Sequence, residues 1–117
     1  MTIREGTVTT MSRFDDVINM FKTLPLTTVD LDHVKVGTKT PFGVYTFEID
    51  TTSADNGVYV KGYQFTLSIY VPKLNSKLDN DIETAFQNND IVWTRSAPTW
   101  VEDSNVFQYD YTFGVLG

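Results

Sequence analysis

The chain is predicted to fold as one α+β domain, a sheet of about four mainly antiparallel strands packed against two helices. Three observations predict this. Around residues 14–21 and 78–86 the apolar residues recur at spacings of three and four, the period of a helix with one buried face. Over 42–49, 58–71 and 106–115 apolar and polar residues alternate, the period of a strand with one buried face. These segments follow one another within 117 residues without repeats or low-complexity tracts, so 1–117 is read as a single domain with 1–9 as a loose N-terminal segment.

The first helix is expected over 10–24, with Phe14, Val17, Ile18 and Phe21 on its stripe, Asp15 and Asp16 near its positive end, and Pro25 stopping it. Residues 27–40 mix turn-formers, charge and Val29, Leu31, Val34 and Val36, and are read as short extended pieces or an ordered loop. A strand follows over 42–49, where Tyr45, Phe47 and Ile49 alternate with Thr46 and Glu48. Residues 50–57 read as a polar loop, because Asp55-Asn56-Gly57 is a turn signal whose residues tolerate positive φ.

The strand over 58–71 is the longest, with Tyr63, Phe65, Leu67, Ile69 and Val71 on one face and Gly62 as a candidate bulge. Ser76-Lys77-Leu78-Asp79 resembles a capping box, opening a helix that runs to about Asn88 with Leu78, Ile82, Ala85 and Phe86 inward. A short strand over 91–95, a loop containing Pro98 and Trp100, and a last strand over 106–115 complete the chain. The expected core is Phe14, Ile18, Phe21, Phe65, Leu67, Ile69, Ile82, Phe86, Tyr111 and Phe113.

Composition narrows the function. Without cysteine there are no disulfides and no thiolate metal sites. A net charge of −6 disfavours nonspecific grip on nucleic acid, which depends on Lys and Arg neutralising phosphates. No apolar run approaches a membrane span of roughly 20 residues. Phosphate-loop, nucleophile-elbow and dinucleotide motifs are absent from the sequence, and the one histidine, His33, has no partner set by any signature. The expectation is therefore a protein that is not an enzyme, with no catalytic residue, no metal and no cofactor. Asp79, Asp81 and Glu83 crowd the second helix and are read as a solvated face. Surface contacts remain. Asp50, Asp55 and Asn56 flank the polar loop, and Tyr59, Tyr70 and Trp100 fall off the main apolar face or in loops, where half-exposed aromatics anchor interfaces.

Several of these residues carry a family resemblance: Pro41-Phe42-Gly43-Val44-Tyr45, then Ala54-Asp55-Asn56 and Val58-Tyr59, the strand from Tyr63 to Tyr70, the capped helix from Leu78 to Phe86, and the aromatic strand from Phe107 to Phe113. In order and content they resemble the tail terminator, or tail completion, proteins of long-tailed bacteriophages. The resemblance covers 11–116 and leaves 27–40 outside it. It implies a structural virion protein that forms a homohexameric ring on the tail tube, at the head–tail interface of the virion, after assembly in the host cytoplasm. Its partners would be its own copies, the tail tube protein and the head-completion or neck proteins, with no membrane and no specific nucleic-acid binding although DNA passes through the ring. The acids Asp30, Asp32, Asp79, Asp81 and Glu83 are then candidates for the lumen wall. The alternatives are a head-completion or other neck protein, or a small non-catalytic binding module.

Overall fold

The computed structural model of the protein describes residues 13–53 and 59–116, and for 50–53 and 59–61 the backbone alone. Two helices, α1 (Arg13–Phe21) and α2 (Ser76–Asn88), lie on one face of a six-stranded mixed sheet. Its strands are β1 (Val29–Leu31), β2 (Phe42–Ser53), β3 (Tyr59–Val71), β4 (Trp93–Arg95), β5 (Thr99–Val101) and β6 (Val106–Leu116). The spatial order is β1-β2-β3-β6-β4, with β5 following β4 along the same edge of β6. The α+β class and the two helices are as the sequence predicts. The sheet has two more strands than expected, and one pairing, β1 with β2, is parallel.

The extra strands are the three-residue pieces that alternation cannot reveal. β1 is held by bonds from Gly43 N to Thr28 O (2.9 Å) and from Asp32 N to Tyr45 O (2.9 Å), inside the tract read as loop or short extended pieces. The segment expected to be a loop around Pro98 and Trp100 is an edge strand interrupted once. Thr99, Trp100 and Val101 pair with Gln108, Phe107 and Val106, and the break at 96–98 is bridged by Ser96, whose N–H bonds Asp110 O and whose hydroxyl accepts from Asp110 N. Gly62 is not a bulge, because the register runs through it on both sides, to Asp50 and to Leu116. Glycine is needed instead at buried Gly43, where a Cβ would press on Leu26 and Leu67 at 3.3 Å.

The helix ends follow local chemistry. Asn75, not Ser76, caps α2: its side-chain oxygen accepts from the N–H groups of Lys77 and Leu78. At the other end Asp90 takes φ 57°, and Asp90 N and Ile91 N return to Gln87 O and Phe86 O, a Schellman closure that buries Ile91 beside Phe86. Arg13 donates to Asn89 O at 2.8 Å, placing a cation at the negative end of α2 and tying the two helices together. α1 ends at Phe21 rather than reaching residue 24, and 22–24 close with i→i−3 bonds.

The core lies where β3 and β6 face the helices. Phe65, Leu67, Ile69, Ile82, Phe86 and Tyr111 are inaccessible to solvent, and Phe21 and Phe113 nearly so. Phe14 and Ile18, expected in the core, sit at its margin, while Val17 and Met20 of α1 and Tyr109 of β6 are fully inside. Aromatic residues stand in register across four strands, Phe47–Phe65–Phe113–Trp93. Phe65 is stacked on Phe113 with centroids 5.3 Å apart, and Phe14 covers Phe47 and Phe65 at 4.9 and 5.5 Å. Phe65→Ala removes the centre of this row and is expected to cost about 3–5 kcal/mol. Urea unfolding checks it, and a loss below about 1 kcal/mol would show that the row does not hold the sheet to its helices.

Candidate functional site

The two ends of the sheet differ. At one end β2 and β3 outrun the rest: β6 pairs as far as Leu116 with Gly62, and beyond it Thr51–Lys61, Thr52–Val60 and Ser53–Tyr59 pair only with each other among the described residues. The polar loop read at 50–57 therefore begins as strand. Asp50 lies within β2 and Tyr59 opens β3, while Asp55 and Asn56 lie outside the described residues. On the outer side β1 covers β2 only at 43–45. Gly43 and Tyr45 bond toward β1, so by alternation Phe47, Ile49, Thr51 and Ser53 direct their N–H and C=O groups off that edge. Ile49 shares the helix-facing side of β2 yet is 53% exposed. This edge carries no proline, lysine or bulge, the usual guards of an edge strand. The opposite edge is guarded by short strands, a break and Pro98.

At the far end of the same ladder, on the face away from the helices, Phe42 and Tyr70 are cross-strand neighbours with rings stacked at 4.9 Å. Burial first, and Asp110 second, push the Tyr70 hydroxyl above its ordinary pKa. The chain between β1 and β2 runs beside them and forms, with Phe42, Val44, Tyr70 and Val106, a groove of about 520 Å³. Trp100 stands near this end on the helix side, edge-on to Phe107 at 4.8 Å and 46% exposed. Of the interface candidates, Tyr70 and Trp100 thus fall at one end, and Asp50 and Tyr59 at the other.

The acidic candidates separate as well. Asp79 and Glu83, one turn apart on α2, are not a solvated face. Tyr109 donates its hydroxyl to Asp79, Tyr111 donates to Glu83 at 2.8 Å, and Arg95 bonds Asp79 at 3.1 Å and approaches Glu83 at 3.9 Å. The Arg95 guanidinium also lies 4.5 Å from the centre of the Tyr109 ring. This network joins α2 to β4 and β6 and uses both carboxylates as acceptors of structural hydrogen bonds. The spacing carried a signal: Asp79 and Glu83 share a helix face, Tyr109 and Tyr111 share a strand face, and the tyrosines' polar tips need partners when buried. Asp81 is outside the network, paired with Lys77 at 3.1 Å on the surface. Asp30 lies in β1 and Asp32 follows at φ 67°, and both act, after burial, to raise the Tyr45 pKa. His33 is exposed, as expected.

Among the described residues no group of three or more His, Cys, Asp or Glu is placed to hold a metal ion, and no helix is long and apolar enough to cross a membrane. The chain matches no protein-family model and no curated protein. The features at hand are therefore two dissimilar sheet ends and a structural acid–tyrosine clip.

The clip sets an alkaline limit. Burial, and then the hydrogen bond to the carboxylate, raise the Tyr109 and Tyr111 pKa values well above the ordinary 10.0. Below pH 10 the phenols are protonated in both states and the contribution is intact. Above it the unfolded chain releases protons that the folded one retains, so stability falls as pH rises. Two tyrosines should ionise only on unfolding in an ultraviolet titration. The Tyr109→Phe/Tyr111→Phe double variant should lose less stability between pH 9 and 12 than the parent, and equal slopes would contradict the clip.

Proposed function

We propose that this protein is a structural component of a phage virion, a tail terminator that closes the tail tube as a ring of identical copies and joins the tail to the head. The observation that carries the reading is the unlikeness of the two sheet ends. β2 and β3 extend beyond β6 at one end, and a groove with exposed aromatics stands at the other. A molecule whose complementary patches lie on different parts of its surface associates head-to-tail, and such contacts either close into a ring or run on as a filament. The resemblance of 41–45, 63–70, 78–86 and 107–113 to tail terminator proteins adds the place of that ring. It also supplies the hexameric count.

The charge agrees with a ring around a DNA path. Copies at −6 each repel phosphates and let a genome move without adhering. With Asp79 and Glu83 held by Arg95 and the tyrosines, and Asp81 paired with Lys77, Asp30 is the lumen candidate that, among the described residues, is neither in an ion pair nor in the groove.

Native mass spectrometry of the purified protein, alone and with tail tubes, tests the reading. The chain weighs 13.3 kDa, so the expected closed species of six copies has a mass of about 80 kDa. A monomer that stays monomeric at high concentration and on tubes would overturn it in favour of a small binding module.

A further inference from the structure

We propose that the groove between the 32–40 segment and the sheet is the acceptor for the projecting β2–β3 end of a neighbouring copy, with Ile49 of one chain seated on Phe42, Val44, Tyr70 and Val106 of the next. The proposal rests on the ring reading and names the contact that would build the ring.

Three observations converge on this occupant. The first is reach. The β2–β3 ladder runs unbroken from Phe42–Tyr70 at the groove to Ser53–Tyr59 at the projecting end. At about 3.4 Å per residue its eleven steps put the projecting tip roughly 37 Å from the groove, and the seven steps from Phe42 put Ile49 about 24 Å away, so a chain cannot fill its own groove. A second copy can, and because donor and acceptor are different surfaces the contact is head-to-tail.

The second is two-sidedness. The groove has an apolar floor, Phe42, Val44, Tyr70 and Val106, and a mixed wall on the 32–40 segment where Val34 and Val36 alternate with His33 and Lys35. The end of β2 has matching sides. Ile49 faces one way and Glu48 the other, by the alternation of the strand. A strand placed in the groove with Ile49 toward the floor presents Glu48 to the wall.

The third is charge. Residues 33–39, His33-Val34-Lys35-Val36-Gly37-Thr38-Lys39, carry two lysines, a histidine and no acid; Lys35 lines the groove, as does Asp32, and Lys39 lies just outside its lining. The projecting end, residues 46–61, carries Glu48, Asp50 and Asp55 against a single base, Lys61. Two copies of the projecting end would repel one another, whereas this end and the 33–39 stretch attract. Each side also leaves apolar surface in water that the contact would remove: Ile49 is 53% exposed and Val36 entirely so.

The absence of cysteine from the sequence makes the contact directly readable. Full-length Ile49→Cys is mixed with full-length Val36→Cys, and separately with Val44→Cys, so that one unfavourable side-chain geometry does not decide the result. The mixtures are oxidised and weighed without reductant. The expected product is a 1:1 disulfide-linked heterodimer at least tenfold above either homodimer. Lys35→Glu/Lys39→Glu in the acceptor should cut the yield about tenfold, and Glu48→Lys/Asp50→Lys in the donor should restore it. Exposed positions were chosen at 36 and 49, and circular dichroism confirms that each variant is folded. If the wild type forms rings and neither pair cross-links above the homodimer level, this inference falls and the ring reading stands. Cross-linking without a closed species upholds the inference and overturns the ring. A wild type that is monomeric, with no cross-link, overturns both.

Discussion

Everything in this molecule hangs on one aromatic row. Phe47, Phe65, Phe113 and Trp93 lie side by side on four strands, Phe14 closes over one end of the row, and Phe86 packs on Phe113 and Trp93 at 5.1 and 5.5 Å. These rings, packed with the aliphatic side chains of Leu67, Ile69, Ile82 and Val17, form the buried centre where the helices meet the central strands. The row also fixes register. A slip of one residue on any strand would turn its ring to the open face.

The same row explains why the rest of the surface is unfinished. Among the described residues, helices of 9 and 13 residues, each rising about 1.5 Å per residue, are shorter than strands of 12 and 13 residues rising about 3.4 Å. The strands therefore extend past their cover, leaving Ile49 and Leu116 exposed at one end and Trp100 and Leu74 at the other. The acid–tyrosine clip finishes the third side. It holds α2 down through Asp79, Glu83 and Arg95, so the network's carboxylates are committed to the fold.

The long elements were legible in the sequence because their periods are strong. The alternation from Tyr63 to Val71 and from Phe107 to Val115 marks the central strands, and the stripe Leu78, Ile82, Phe86 marks α2. β4 reads as a short strand over 91–95, but β1 reads only as extended pieces or loop and β5 as loop, because three residues cannot express a period. They exist through pairing with strands already in place. The strand character of Asp50 to Ser53 was hidden for a related reason: its composition is that of a loop, and ladder bonds to β3 override it. Of the candidate site, Tyr70 and Trp100 could be named from the sequence, but their gathering at one end depends on β3 and β5 both pairing with Phe107 and Gln108 of β6, a tertiary fact. The clip was the opposite case, visible in the spacing of Asp79, Glu83, Tyr109 and Tyr111 and read instead as solvated charge beside a core.

The central claim is that the two unlike ends of the sheet meet between copies. Amide hydrogen exchange, followed residue by residue in dilute and in concentrated protein, tests it most directly. Association through these ends should slow exchange at Phe47, Ile49, Thr51 and Ser53, whose N–H groups point off the β2 edge, and across 33–40, while the amides of Leu67 and Ile69 in the buried centre stay unchanged. Protection that appears on the outer face of α2, or none at either sheet end when larger species form, would contradict the account.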